Sequence, residues 1–381
     1  MKKKIFLVLF AAIAGTSVLF ADGTLIGELY YNLNTSKKTA TVTYQTKDGD
    51  NYADLTAVNI PATVTYDGVT YNVMAVGQDA FMDCLNITSV TLPDGITDIA
   101  RFAFRSCEIT SLTIPASLKT MDYGAFFGCD KIASLAWNAV KCDDFRAASP
   151  WEYAGVGYNA TAPITTVVFG DGVQRIPSHL LERIETLTSV TIPNSVTSIG
   201  EFAFAECKNL TKIDIPSSVT SIGADAFNKC ENLTKIDIPN GIITIETGTF
   251  AECTNLKSVT IPNSVNTIKG GSGFFDAGAF YECSSLAEIY NYGETPANAY
   301  SAVFDGVNKS TCKLYVPRNS INLYKNAPVW RDFYSISAIE DVQALENAEA
   351  DNVRSAKVII DGKVYINRGD KTYTLQGQEV K

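Results

Sequence analysis

From Ser189 to Thr211 the chain reads SVTIPNSVTSIGEFAFAECKNLT, and the next 23 residues read KIDIPSSVTSIGADAFNKCENLT. Apolar residues occupy the same places in both. Val190, Ile192, Val196, Ile199, Phe204, Cys207 and Leu210 are matched by Ile213, Ile215, Val219, Ile222, Phe227, Cys230 and Leu233. Alternation in "VTI" predicts a short strand with every second side chain inward. Proline then ends it, because it cannot donate to a ladder. "NSVTSI" adds two inward aliphatic positions, and "GADAFNKC" predicts a short turn whose Phe and Cys point inward. One such unit cannot cover its own apolar face, so units must stack to build a core.

The pattern persists along most of the chain. Pro193, Pro216, Pro239 and Pro262 are 23 residues apart, as are Phe204, Phe227 and Phe250, and Cys207, Cys230 and Cys253. An earlier block carries Pro93 and Pro115, Phe81, Phe104 and Phe126, and Cys84, Cys107 and Cys129. A fixed period of this length is the mark of a solenoid. Between the blocks, Ile164 to Val190 forms a less regular turn, with Leu181 in the Phe slot and Ile184 in the Cys slot. Val140 to Pro163 reads as an insertion between turns, with smaller ones at Tyr66 to Asn72 and Gly270 to Asp276. Strands are expected near Asn59, Thr91, Thr113, Ala136, Val168, Thr191, Asp214, Asp237, Thr260, Tyr290 and Tyr315. At about 4.8 Å per strand they would make a sheet on the order of 50 Å long.

This unit, seen most clearly in "LTKIDIPSSVTSIGADAFNKC", closely resembles the BspA-like leucine-rich repeats found in exported proteins of gut and oral Bacteroidetes. The resemblance covers about Leu55 to Ile339, including the closing "KLYVPRNSINLYKNAPVWRDFYSI". It implies a solenoid of about 23-residue leucine-rich repeats, with short parallel strands on one face and irregular or short helical turns on the other. It also implies an exported or cell-surface binding protein, since some members are described as adhesins. The family supplies no binding motif to carry over residue by residue.

Both solenoid ends need covers. Residues 22–54 read as a small β-rich N-terminal cap. Val64 to Val73 reads as a hairpin bent at Asp67-Gly68. Tyr324, Trp330 and Phe333 are large enough to close the other end. Residues 340–355 read as a linker, and 356–381 as a short β C-terminal tail resembling the sorting elements of such exported proteins. The first 21 residues have three lysines, an apolar run and small residues, which is the pattern of a signal peptide. No later stretch is long and apolar enough to span a bilayer.

Composition narrows the function. Apolar residues make up 46% and charged residues 19%, which suits a folded chain. The formal net charge of −10 argues against a nucleic-acid backbone as the partner. Nine cysteines in an exported chain invite disulfides. Seven of them, Cys84, Cys107, Cys129, Cys207, Cys230, Cys253 and Cys283, share one repeat position, and Ile184 substitutes there, so packing is the better reading. Metal sites and cofactors are not indicated: there is one histidine, no C-x-x-C, no calcium loop and no phosphate-binding glycine motif. His179 falls in an inward aromatic slot, which suits packing rather than catalysis.

The candidate binding surface is the outward sheet face: Thr91, Thr113, Val168, Thr191, Lys212, Asp214, Lys235, Asp237, Thr260 and Tyr290. Trp151, Tyr153 and Tyr158 in the insertion are candidate loop contacts, because aromatics concentrate at binding hot spots; the same cluster would also serve to cover the irregular turn. The chain is expected to be a non-enzymatic, exported or surface-held scaffold, monomeric, meeting an extracellular protein or glycan. A structural, envelope-organising role is the alternative. A remote one is glycan hydrolysis by Asp214 and Asp237, which the strand spacing places about 5 Å apart.

Overall fold

The computed structural model describes residues 23–45, 52–145, 149–151, 162–270, 277–340, 355–360, 363–368, 371–374 and 379–380. The signal-peptide segment, Tyr153, Tyr158, most of the Gly270 to Asp276 insertion and most of the 340–355 linker lie outside them. The chain divides into two compact units, Met1–Ala162 and Pro163–Lys381.

The first unit begins with antiparallel strands Thr24–Ile26, Leu29–Asn34 and Thr39–Thr43. The last of these pairs in parallel with Val69–Val76, which also forms a hairpin with Thr63–Tyr66. Asp67 and Gly68 at its tip both have positive φ, 49° and 74°, as the tight hairpin turn requires. Regular turns follow. Their strands Ala57–Asn59 and Ser89–Thr91 pair in parallel, as do Ser111–Ile114 and Ser134–Trp137. In the second unit Thr166–Phe169 pairs with Ser189–Thr191, and Lys235–Asp237, Ser258–Ile261, Glu288–Asn291, Lys313–Val316 and Ser335–Ala338 form a parallel run. Residues 212–214, expected as a strand, keep Ile213 buried but carry no ladder. The repeat sets Lys212 level with Lys235 and Asp214 level with Asp237, and like charges facing each other oppose close pairing.

The two other sides of each turn are also bonded to their neighbours. The "NSVTSI" segments form two-residue parallel strands, such as Ser198–Ile199 against Ser221–Ile222. The Ala-Phe segments are the irregular or short helical turns that were expected, and they too are bonded from turn to turn. Phe204 N–H donates to the Ala226 carbonyl (2.8 Å) and Phe227 N–H to that of Thr249 (2.9 Å), while Ala205 N–H bonds back to Phe202 (3.1 Å). N–H groups thus alternate between the next turn and the same turn. That alternation needs left-handed residues at fixed places: Phe202, Glu206, Asp225, Lys229, Glu252 and Glu282 all have φ between 53° and 59°. Each such non-glycine residue costs roughly 1–2 kcal/mol, which the three bonded walls offset.

Phenylalanines form the inner columns. In the first unit Phe81, Phe104 and Phe126 stack at 5.1 Å with planes within 9°. In the second, Phe204, Phe227, Phe250, Phe280 and Phe304 stack at 5.2–5.5 Å. The columns stop where geometry changes. Tyr52 tilts onto Phe81 at 4.8 Å, and Trp330 and Phe333 meet Phe304 edge-on at 5.5 and 5.3 Å. Trp330 and Tyr324 are fully buried, and their polar tips donate to the Ala297 and Gly293 carbonyls.

All nine cysteines are free thiols. At the repeated position they do more than fill space. Cys107, Cys129, Cys207, Cys230, Cys253 and Cys283 each donate S–H to a carbonyl 25 to 33 residues back, at 3.0–3.2 Å. The Phe204 carbonyl accepts both the Cys207 N–H and the Cys230 S–H, at 3.2 Å each. Cysteine is a hydrophobe small enough for this slot that also brings a weak donor.

The segment expected to be an insertion from Val140 begins as a regular turn. Val140 and Asp143 N–H groups bond to the carbonyls of Ala116 and Lys119, and Cys142 and Phe145 point inward. Phe126 N–H donates to the Pro150 carbonyl, just as Phe104 donates to Ala125. Trp151 therefore occupies the phenylalanine slot. Beyond the second unit's last turn, strands Ser355–Ile360, Lys363–Arg368, Lys371–Thr374 and Glu379–Val380 form an antiparallel meander.

Candidate functional site

The outward side of each parallel run is set by strand alternation. Ile236 is buried, so Lys235 and Asp237 must face out, and the parallel register places them level with Ser258 and Thr260. The same register continues to Glu288 and Tyr290, then Lys313 and Tyr315. Thr91, Thr113, Thr191 and Val168 are exposed, the last a solitary apolar side chain at 45%. Thr260 and Tyr290 are half-buried. The Tyr290 ring stacks on Tyr315 at 4.9 Å, and its hydroxyl donates to Glu288 Oε2 at 3.1 Å.

Charges on this face pair within their own turn. Lys212 Nζ lies 2.8 Å from Asp214 Oδ2, and Lys235 Nζ 3.1 Å from Asp237 Oδ2. Thr260 Oγ1 donates to the other Asp237 oxygen at 2.6 Å. Such exposed pairs contribute about 0–1 kcal/mol each. The Asp214 and Asp237 side chains are 82% and 60% exposed, so neither sits in the enclosed, water-poor surroundings in which paired carboxylates cleave glycans. Among the described residues, no group of three or more His, Cys, Asp and Glu is arranged to hold a metal ion.

Two residues singled out in the sequence are packing residues. Trp151 is fully buried against Phe126, ring centroids 5.6 Å apart, so it is not a loop contact at the surface. An indole is large enough to fill the phenylalanine slot, and burial there outweighs display. His179 stacks on Phe202 at 5.0 Å, and its Nδ1 lies 2.6 Å from Glu182 Oε2.

A further cluster escaped the sequence reading. On the Ala-Phe wall of the first unit, the Arg101 guanidinium lies 4.4 Å from the Phe102 ring centre and 4.9 Å from that of Tyr123. Arg105 lies 5.6 Å from Phe102 and 6.0 Å from Phe127. The signal was present in "ARFAFRSC": two arginines four apart at outward positions where most later turns carry other residue types.

The thiols at the repeated position are chemically quiet. Burial pushes Cys129 and Cys253 up to about 12, against a weaker lowering by a backbone hydrogen bond. Cys84, at the column's start and only half-buried, rises to about 11 from the same cause.

Residues 50–141 and 157–277, more than half of the chain, match the model of the BspA type leucine-rich repeat region, in six copies. The chain belongs to this family. Solved structures with a similar fold include a leucine-rich cell surface protein of Faecalibacterium prausnitzii, 22% identical, covering 83% of this chain and 94% of that one, with a TM-score of 0.42. The pneumococcal vaccine antigen PcpA is 16% identical over 84% of this chain and 98% of its own, with a TM-score of 0.39. A Bacteroides ovatus leucine-rich repeat protein is 19% identical over 70% and 94%, with a TM-score of 0.27. No curated protein matches the chain. In the BspA-type repeat as built here, strand, proline, Ala-Phe turn and cysteine each have a defined wall. Among the described residues no helix is long and apolar enough to cross a membrane.

Proposed function

We propose that this BspA-type repeat protein is an exported, non-enzymatic binding scaffold whose outward sheet face meets an extracellular protein or glycan. One observation carries the reading. Ile236 and its counterparts face the core, while the outward ranks stand exposed: Ser89 and Thr91 level with Ala57 and Asn59 in the first unit, and, in the second, Ser189 and Thr191 level with Thr166 and Val168, and Lys235 and Asp237 level with Ser258 and Thr260. Repeat surfaces of this kind vary in side chain without disturbing the stack, which suits them to extended partners. The face would be read through Thr91, Thr113, Val168 and Thr191, and through the Lys212 to Tyr290 ranks. The test is binding of the mature chain to host matrix proteins and to glycan arrays. A ligand whose affinity falls in the Thr191→Ala/Asp237→Ala variant supports the reading; a ligand indifferent to it contradicts it.

A structural, envelope-organising role is the second reading, favoured by the Lys212–Asp214 and Lys235–Asp237 pairs, which balance their charge without any partner. It wins if no ligand binds while deletion of the chain alters envelope architecture.

A further inference from the structure

The N-terminal cap stands where a preceding turn would stand on the "NSVTSI" wall and in the core, but not on the sheet wall. Thr39–Thr43 lies parallel to Val69–Val76, as the strand of a preceding turn would. Tyr52 supplies a further ring on Phe81. On the sheet wall, among the described residues, Ala57–Asn59 pairs with Ser89–Thr91 alone. Thr88 N–H donates to the Thr56 carbonyl (2.9 Å) and Ile60 N–H to that of Thr91 (3.2 Å). Thr56, Val58 and Ile60 therefore turn their backbone groups toward the next turn. By alternation the N–H and C=O groups of Ala57 and Asn59 point the other way, along the free edge.

Sheet edges are commonly blunted by charged side chains or proline. Residues Thr56 to Ile60 carry neither. Ala57 and Asn59 are exposed, and among the described residues their outward-edge groups have no backbone partner. A second observation falls at the same end. The residue after the repeated Cys is Glu108, Asp130, Lys208, Glu231, Thr254 and Ser284 in later turns. In the first turn it is Leu85, 63% exposed. Asn86 beside it donates from Nδ2 to the Ala53 carbonyl at 2.7 Å, so Leu85 borders the segment that leads into the free strand. An exposed leucine where later turns are polar thus accompanies the unpaired backbone.

We propose that the free edge of Ala57–Asn59 receives an extended polypeptide segment of a partner protein. The segment adds to the sheet wall as the strand a preceding turn would have supplied, and an apolar side chain of it rests on Leu85. Donors and acceptors alternate along an extended peptide at the spacing of those on Ala57 and Asn59. The hydroxyls of a glycan do not repeat at that spacing. A second copy of the chain is a poorer match. Strands Thr24–Ile26, Leu29–Asn34 and Thr39–Thr43 extend past the first turn, on the side a neighbouring solenoid would have to occupy. A lone peptide needs only the width of one strand, about 4.8 Å. The site is separate from the outward sheet face and does not depend on that surface binding anything.

The experiment selects binders to the full mature chain from a phage-displayed library of short linear peptides, and titrates the enriched peptides as synthetic compounds. Peptides carrying an apolar residue are expected to enrich and to slow hydrogen exchange at the Ala57 and Asn59 amides. Asn59→Pro removes an edge N–H that no ladder bond uses, so it should fold and weaken binding by about tenfold or more. Asn59→Ala keeps that N–H and should bind within about twofold of wild type. Leu85→Glu, which installs the residue type found at Glu108 and Glu231, should weaken binding by about fivefold or more. If Asn59→Pro fails to fold, amide protection and Leu85→Glu decide the matter. The proposal is overturned if no peptide enriches, if enriched peptides leave both amides unprotected, or if they bind Asn59→Pro and Leu85→Glu as they bind wild type. It is also overturned if the wild-type chain sediments as a dimer that Asn59→Pro converts to a monomer, because a second copy would then be the occupant.

Discussion

The Ala-Phe walls of the two units share a backbone and differ in what they display. In both, Phe N–H groups bond across turns and the residue before the repeated Cys is left-handed in most turns. In the second unit the wall carries a mixture of alanines, polar residues and Tyr281, with acid–base pairs between adjacent turns. In the first it carries such a pair as well, Arg105 with Asp83 at 3.7 Å, but its arginines also lie over aromatic rings. The inner column is the same in each, phenylalanines 5.1–5.5 Å apart. The lesson is a division of labour: inward positions are fixed by stacking, and outward positions are free to differ.

If that holds, truncating the column should hurt both units alike. Phe104→Ala and Phe227→Ala are each expected to destabilise by about 3–5 kcal/mol in denaturant titrations. A large loss in one unit and almost none in the other would break the comparison.

High pH should weaken both columns through their thiols. The repeated cysteines are neutral when folded, and burial raises their pKa above the unfolded value near 9. Their contribution is therefore fully present below about pH 9 and is lost as pH rises toward about 12, because the unfolded chain ionises first. Each fully buried thiol steepens the loss by about 1.4 kcal/mol per pH unit. Unfolding midpoints between pH 8 and 11 check this, and Cys230→Ala should flatten the curve.

Smaller effects sharpen the picture. Glu282 holds φ at 54° and is exposed, so Glu282→Gly should raise stability by up to about 1 kcal/mol. Lys229→Ala removes a 3.9 Å pair with Glu252 and should cost less than about 1 kcal/mol, less still at high salt.

Much of this architecture was legible in the sequence, because burial writes itself as periodicity. The Phe column, the cysteine position and the Tyr324–Trp330–Phe333 closure all follow from apolar spacing. Other features leave no apolar signal. The left-handed positions fall on charged residues such as Glu206 and Lys229, where side-chain type does not betray backbone shape. The turn containing Trp151 hid because Asn138 replaces proline and tryptophan replaces phenylalanine, so the repeat dropped out of register in the text while the backbone kept it. The outward candidates were located by alternation, but alternation says only that a side chain faces out. The arginine–aromatic cluster draws on two adjacent turns, and only the stacked geometry brings its members together.

The account's central claim is tested most directly on one strand of three residues. Ile236 is buried between the exposed Lys235 and Asp237. Equilibrium unfolding of Ile236→Ala should show a loss of about 2–5 kcal/mol, while Lys235→Ala/Asp237→Ala loses less than about 1 kcal/mol. If the outward pair proved as damaging as the inward isoleucine, outward positions would belong to the fold, and the division of labour would be wrong.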